Sequence, residues 1–459
     1  MHDRGETTTP APDAPTGGIW ADRDFHLKGN YAPVPDEAEI TDLAVEGAIP
    51  PSLDGLYVRN GPNPHTGTSP HWFMGDGMLH GIRLKGGKAL WYRNRYVKTR
   101  ALDGASLIRP DFTVDHTVGV ANTHIVPHNG GLFALVESSF PTRVSPELET
   151  LGPWDFGGKL NHAFTAHPKI CPRTGEMHAF GYGFSEPYLV YHRIAADGSL
   201  IETFPIPTKG PVMMHDFALS ERHVVFLDLP VIFDGEQAFK GTMPFKWSDS
   251  HGARLGVMPR GGTGDQVRWY DIDPCYVFHV ANAFEDETGG LVIDVARYPD
   301  MWRGNSSTFS KASLHRWRID PVAGRVSDEP LDDQVVEFLR VDDRLGGRAH
   351  RHIYAAAADP AGGNEFTAVV KYDLTTGMKA MQDFGPDAIV SEFVFVPGED
   401  GPQDDAGWLL GFVYSARTDT TDFLVMDAQS LSLPPVARVR LPRRVPQGFH
   451  GSWMDLSVS

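Results

Sequence analysis

The 459-residue sequence predicts an all-β fold, a β-propeller, on three observations. Glycine (48) and proline (36) are spread along the whole length instead of gathering in linkers, which is the punctuation of many short strands and turns. Short β-rich runs recur at Gly131 to Glu137 (GLFALVE), Glu176 to Tyr182, His223 to Leu229, Leu291 to Val295, Phe366 to Tyr372 and Trp408 to Tyr414, while helical periodicity of comparable length is scarce. Hairpin signals of one form start at Tyr191 (YHRIAADGSLIETFPI), Leu314 (LHRWRIDPVAGRV), Val369 (VVKYDLTTGMKAM) and Phe423 (FLVMDAQSLSLPPVARVRLP). In each, an apolar strand reaches an Asp, turns within a few residues and resumes. Such repetition at irregular spacing is what variable loops between propeller blades produce. A pair of β-sandwich domains accommodates the same strands. The expected organisation is a flexible or loosely attached segment over 1–35, then a single propeller catalytic domain over 36–459.

Charge narrows the partners. There are 41 Lys and Arg against 59 Asp and Glu, a net of −18, which opposes docking on a phosphate backbone or an anionic lipid surface, so nucleic acid is not expected. Hydrophobic residues make up 41% of the chain, enough for a large core. Only Cys171 and Cys275 occur, so no disulfide framework exists and a reducing, cytoplasmic location is expected. The first residues are polar and lack the apolar core of a secretory signal. No apolar run is long enough for a membrane-spanning helix, although an apolar patch leaves weak peripheral contact with a membrane surface open.

The sequence has no Gly-x-Ser-x-Gly elbow, no phosphate loop ending in Gly-Lys-Ser/Thr and no His-Glu-x-x-His. Its distinctive resource is 20 histidines, several in apolar surroundings where an unpaired imidazole is costly. Four settings stand out: FTAHPKICP at His167, PVMMHDFAL at His215, CYVFHVANAFED at His279 and QGFHGSW at His450. Their spacings are far too wide for a zinc finger but suit ligands delivered one per blade onto a central axis. Any one alone is more simply a hydrogen-bonded core histidine, and most of the remaining histidines read as surface or structural. Cys171 and Cys275 each lie close in sequence to one of the four, so a mixed Cys/His zinc site is an alternative. A calcium-dependent propeller lactonase would instead put carboxylate and amide oxygens on the axis. A propeller used as a binding scaffold would need no metal. The glycines of RNGPNP and GDGM read as tight turns at a blade edge. The stretch Leu229 to Trp247, rich in large apolar side chains, is a candidate entrance, with inter-blade packing as the plainer alternative.

At YVRNGPNP (Tyr57), HWFMGDGMLHG (His71), FTAHPKICPRTGEMHAFGYGF (Phe164), MMHDFALSERHVVFLDLPV (Met213) and VSEFVFVPG (Val390), the chain resembles the carotenoid cleavage oxygenase family. The resemblance implies a seven-bladed propeller capped by a dome of loops and short helices, with a non-haem Fe(II) on its axis. By motif, the iron ligands would be His167, His215, His279 and His450, with Glu137, Glu337 and Glu392 behind them. A carboxylate there makes sense physically, because a ligating imidazole needs an acceptor to fix its far N–H. The implied reaction is cleavage of one C=C of a small apolar conjugated alkene by O2 to two carbonyl products, with no organic cofactor. Relatives resembling lignostilbene dioxygenases carry a Lys directly before the first of these glutamates, where it contacts a substrate phenol. Val136 stands there in this chain. An apocarotenoid is therefore expected first and a stilbene or phenylpropene second, with Arg143, Thr165 and Tyr182 as substitute donors. Val136, Phe233, Phe239 and Phe245 are the expected substrate-tunnel residues.

Overall fold

The computed structural model describes residue 22 and residues 24–303, 309–358, 365–398 and 404–457. Seven antiparallel sheets of four or more strands form the blades, and an eighth, two-stranded sheet belongs to an insertion. Moving from the axis outward, blade two runs His124–His128, Gly131–Leu135, Thr142–Val144, Thr150–Pro153, and blades three to six repeat this meander. Outer strands keep the period of two that a half-solvated sheet requires, as in Leu200–Pro205, whereas Gly55–Pro62 is buried throughout.

The recurrent Asp at the hairpin tips has a local cause. Asp197 accepts from Ser199 N, Asp320 from Val322 N and Ala323 N, Asp373 from Thr375 N and Thr376 N, and Asp427 from Gln429 N. Each carboxylate satisfies backbone donors that the turn frees from the ladder.

Both chain ends close the ring. Ala44–Gly47 is the outermost strand of blade seven, paired with Ala437–Arg440, and Gly451–Asp455 is the innermost strand of blade one, paired with the Gly55–Pro62 strand. Most of the expected loose segment 1–35 lies outside the described residues. Within it, Phe25 and Tyr31 pack with Trp72 and Phe449.

The glycine of RNGPNP, Gly61, differs from its expected role. Arg59, Asn60 and Gly61 sit inside Gly55–Pro62 and clamp the approach to Gly451–Asp455. Arg59 Nη2 donates to the Pro446 carbonyl, Asn60 N to His450 O at 2.9 Å, Phe449 N to Asn60 O at 2.9 Å, and Asn60 Nδ2 to Ala121 O at 2.8 Å. Gly61 is required by close approach: a Cβ there would fall 2.6 Å from Gly448 Cα.

Leu229 to Trp247 forms a hairpin, Val231–Phe233 with Phe245–Trp247, carrying a short helix Gly235–Phe239 at its tip. It is inserted between His223–Asp228 and Ala253–Pro259 of blade four. No helix among the described residues is long and apolar enough to cross a membrane.

Gly61→Ala is expected to cost about 1 to 3 kcal/mol, because two backbones must separate to admit the methyl group. Thermal unfolding measures it, and an unchanged midpoint would mean that the two segments are not in contact.

Candidate metal centre and substrate cavity

The inner strands bring four histidines together at the axis. His167 and His215 lie just before the inner strands of blades three and four, Lys169–Ile170 and Ala218–Leu219. His279 is inside Tyr276–Glu285 of blade five, and His450 immediately precedes Gly451–Asp455 of blade one. One nitrogen from each lies within 4.8 Å of the others, and all four residues are buried. The His167 and His215 Nε2 atoms are 3.0 Å apart, and ring centroids are 4.5 Å apart for His167–His215, His167–His450 and His279–His450.

Local irregularities aim these groups. The pairing of Tyr276–Glu285 slips between Val277 and Val280, around His279. That of Val335–Arg340 slips between Glu337 and Arg340, where Phe338 has φ 56°. Bulges turn a side chain out of strict alternation, and a positive φ on a bulky residue persists only where its surroundings enforce it. The inner strand of blade seven breaks between Ala388–Val390 and Val394–Pro397, leaving Glu392 buried at the break.

Three glutamates face the outer nitrogens of three imidazoles. Glu137 pairs with His215 Nδ1, Glu337 with His279 Nδ1, and Glu392 with His450 Nδ1 at 3.0 Å. A carboxylate accepts only, so Nδ1 carries the hydrogen in the two hydrogen-bonded pairs, His279–Glu337 and His450–Glu392, and Nε2 keeps its lone pair there; His215 Nδ1 lies in close contact with Glu137. The glutamates are themselves held. Tyr182 donates to Glu137 at 2.7 Å and Tyr298 to Glu337 at 2.9 Å; Gly451 N donates to Glu392 at 2.8 Å. Burial, with the neighbouring carboxylate adding to it, raises both tyrosines well above the ordinary phenol value, so they remain donors.

Burial drives His167 and His450 well below the ordinary imidazole value, which keeps them neutral. Burial also lowers His279, but the charge and hydrogen bond of Glu337 outweigh it and the net shift is upward. The donor set fits a metal cation. His279 Nε2 is buried with no hydrogen-bond partner among the described residues, an arrangement that is costly unless a cation meets the lone pair. The buried carboxylates of Glu337 and Glu392, with the half-buried Glu137, also need positive charge, of which Arg340, 3.9 Å from Glu392, supplies one.

His124 is a fifth buried imidazole beside this group, with ring centroids 5.0 Å from His450 and 5.6 Å from His167. Its nitrogens pair with Ala166 O at 2.9 Å and Ser452 Oγ at 3.4 Å, a structural role. Neither cysteine joins the group: Arg260 Nη1 lies 3.4 Å from Cys171 Sγ, and burial pushes Cys275 up to about 12.

A cavity of about 920 Å³ opens onto His215, His279 and His450. Val136, Phe233, Phe239 and Phe245 all line it. The mouth is apolar, with Phe112 67% and Phe239 83% exposed and their ring centroids 6.3 Å apart. Other wall residues come from distant segments, among them Phe73, Phe278, Phe309, Phe338 and Phe449. No local signal marked these rings, since each reads as ordinary core. Tyr298 also escaped the sequence reading, because its role depends on meeting Glu337 from the neighbouring blade. Of the substitute donors, Tyr182 is bound to Glu137, and Thr165 is buried, its Oγ1 accepting from His167 N at 2.9 Å. Arg143 stacks over Trp154 and lines a separate, smaller pocket.

Comparison with known proteins agrees with this arrangement. A family model described as retinal pigment epithelial membrane protein matches residues 31–455. A carotenoid cleavage oxygenase of Mycobacterium tuberculosis is 38% identical, over 93% of this chain and 97% of the relative. The crystal structure of Pseudomonas brassicacearum lignostilbene dioxygenase superposes with a TM-score of 0.85 at 32% identity, covering 98% of this chain and all of that one (100%). A variant of the Synechocystis apocarotenoid oxygenase gives a TM-score of 0.83 at 28% identity, over 93% of this chain and 98% of that one. With its seven blades, its buried tetrad of imidazoles and these near-full-length matches, the chain belongs to the carotenoid cleavage oxygenase family and is a metal-dependent dioxygenase.

Proposed function

We propose that the protein is a non-haem Fe(II) dioxygenase that cleaves one C=C of an apocarotenoid with O2 to give two carbonyl products. The observation that carries this reading is the four-imidazole group opening on an apolar cavity of about 920 Å³. His167, His215, His279 and His450 would hold the iron through ring nitrogens, while Glu337 and Glu392 fix two of the rings by accepting their Nδ1 hydrogens and Glu137 lies against the Nδ1 of His215. Iron(II), when bound, supplies the activation of O2 at positions free of protein ligands. The cavity wall does the rest: aromatic and aliphatic side chains exclude water and orient an elongated polyene by shape, since it offers little to hydrogen-bond. The exposed Phe112 and Phe239 at the mouth support loading of an apolar substrate from a lipid surface.

Val136 decides between the two substrate classes. It lines the cavity directly before Glu137 and has no donor to offer a phenol. A buried hydroxyl left unpaired there costs about 1 to 3 kcal/mol, or roughly 5- to 150-fold in relative efficiency. The likeness to lignostilbene dioxygenase along nearly the whole chain favours a stilbene or phenylpropene as the second reading.

Purified protein is expected to hold about one iron per chain and His215→Ala to lose it; stoichiometric zinc in protein made with iron supplied, or full iron retention in the variant, would sink the ligand assignment. Glu→Gln at Glu137, Glu337 or Glu392 should weaken metal binding or turnover by about 10- to 100-fold with the fold intact. A variant with unchanged iron content and turnover would remove that glutamate from its role. At equal iron loading, kcat/KM should be higher for an apocarotenal than for 4-hydroxystilbene, and a tenfold advantage for the stilbene would overturn the substrate assignment while leaving the iron site standing.

A further inference from the structure

We propose that Gln447 is a specificity-determining residue whose amide oxygen selects a conjugated alkene carrying a hydroxyl on the half of the molecule that lies away from the Phe112–Phe239 mouth. The proposal deepens the reading of the cavity as the substrate site and rests on it. The cavity has two sides. Toward the mouth it is lined by Val136, Phe112 and the Leu229 to Trp247 hairpin; on the other side, over blades five, six and one, it is lined by Phe309, Phe338, Phe366, Phe449 and Gln447.

Most polar side chains on the wall are already engaged. Tyr182 and Tyr298 donate to Glu137 and Glu337, Thr123 to Asn122 Oδ1 at 3.0 Å, and Thr242 to Gln237. His116 meets the Ser138 carbonyl through Nδ1 at 3.0 Å and is only half-buried. Gln447 is different. It is 4% exposed, and its main chain is fixed by Gln447 N donating to Asn30 O at 2.8 Å. Its Nε2 donates to Val390 O at 3.3 Å. A carbonyl only accepts, so this contact settles which end of the amide is nitrogen and leaves Oε1 as the free acceptor of a residue that lines the cavity.

The result is an acceptor, on a buried residue of an otherwise apolar wall, that meets no donor among the described residues. A ligand that places a donor against Oε1 recovers the hydrogen bond, whereas an aldehyde, an ester or a hydrocarbon end leaves it unmade. Of the groups a conjugated polyene carries, a hydroxyl is the one that donates. Shape along the cavity and this single polar contact together define a hydroxylated conjugated alkene as the substrate class.

The test uses matched pairs that differ only in the hydroxyl: a cyclic apocarotenal with and without its ring hydroxyl, and 4-hydroxystilbene against stilbene. For iron-loaded wild-type protein, the hydroxylated member is expected to have the higher kcat/KM by roughly 5- to 30-fold, carried by KM. Anaerobic titration of the same ligands, followed by polyene or stilbene absorbance, should give the same ratio in Kd. Gln447→Leu, close in volume, should bring both ratios near one with metal content unchanged. A wild-type ratio near one in both pairs, or a ratio kept by metal-replete Gln447→Leu, would overturn the proposal. Loss of the ratio in His116→Phe instead would place the hydroxyl at the mouth and overturn it equally. If only the stilbenes turn over, the apocarotenoid reading fails, while the stilbene pair still reads the hydroxyl contact.

Discussion

Glu337 and Glu392 are buried on the axis of this propeller with Glu137 half-buried beside them, and the structure around these carboxylates is organised to make that tolerable. A buried carboxylate is costly unless donors and positive charge answer it. Glu337 and Glu392 each receive an imidazole N–H and a second donor, Tyr298 and the Gly451 amide, while Glu137 lies against His215 Nδ1 and accepts from Tyr182. The two hydrogen bonds set the tautomer of His279 and His450, so that their Nε2 atoms keep lone pairs. A cation at the centre completes the balance. Stability and chemistry therefore depend on one arrangement, in which imidazole N–H groups and a cation together compensate the carboxylates.

Geometry at this precision demands a rigid support, and the ring closure provides it. Each pair is made between blades: Glu137 of blade two reaches His215 ahead of blade four, and Glu392 of blade seven reaches His450 ahead of blade one. His450 arrives on the last strand, so it is in place only after the chain's end has added to the Gly55–Pro62 strand. The Arg59–Asn60–Gly61 clamp fixes that arrival, through hydrogen bonds to Pro446, Phe449 and His450 and through a glycine–glycine approach that no side chain could occupy. Bulges at His279 and Glu337 supply the remaining adjustment, at the cost of a strained φ at Phe338.

The cavity extends the same economy of polar groups. Its tyrosine hydroxyls point outward to the glutamates, which leaves an apolar surface toward the substrate side. Against such a wall, a few acceptors and donors discriminate strongly, because each unmatched one costs more than in water. Val136 and Gln447 are opposite solutions at two points of that wall, one withholding polarity and the other presenting it.

The sequence by itself determined the all-β class and the hairpin tips at Asp197, Asp320, Asp373 and Asp427, because turn chemistry and strand periodicity are local properties. It also singled out His167, His215, His279 and His450, since an imidazole in an apolar run is locally anomalous, although the glutamates became legible only through family motifs. Convergence it reached only as what the family motifs imply: that one nitrogen from each of these four rings meets the others within 4.8 Å while His124, equally buried, is spent on Ala166 and Ser452 depends on which blade faces which. Gly61 of RNGPNP reads locally as a turn and is instead a contact across the ring closure. Tyr298, Gln447 and the aromatic cavity wall were invisible for the same reason. Their functions lie in partners brought from elsewhere in the chain, and only the closed propeller sets those distances.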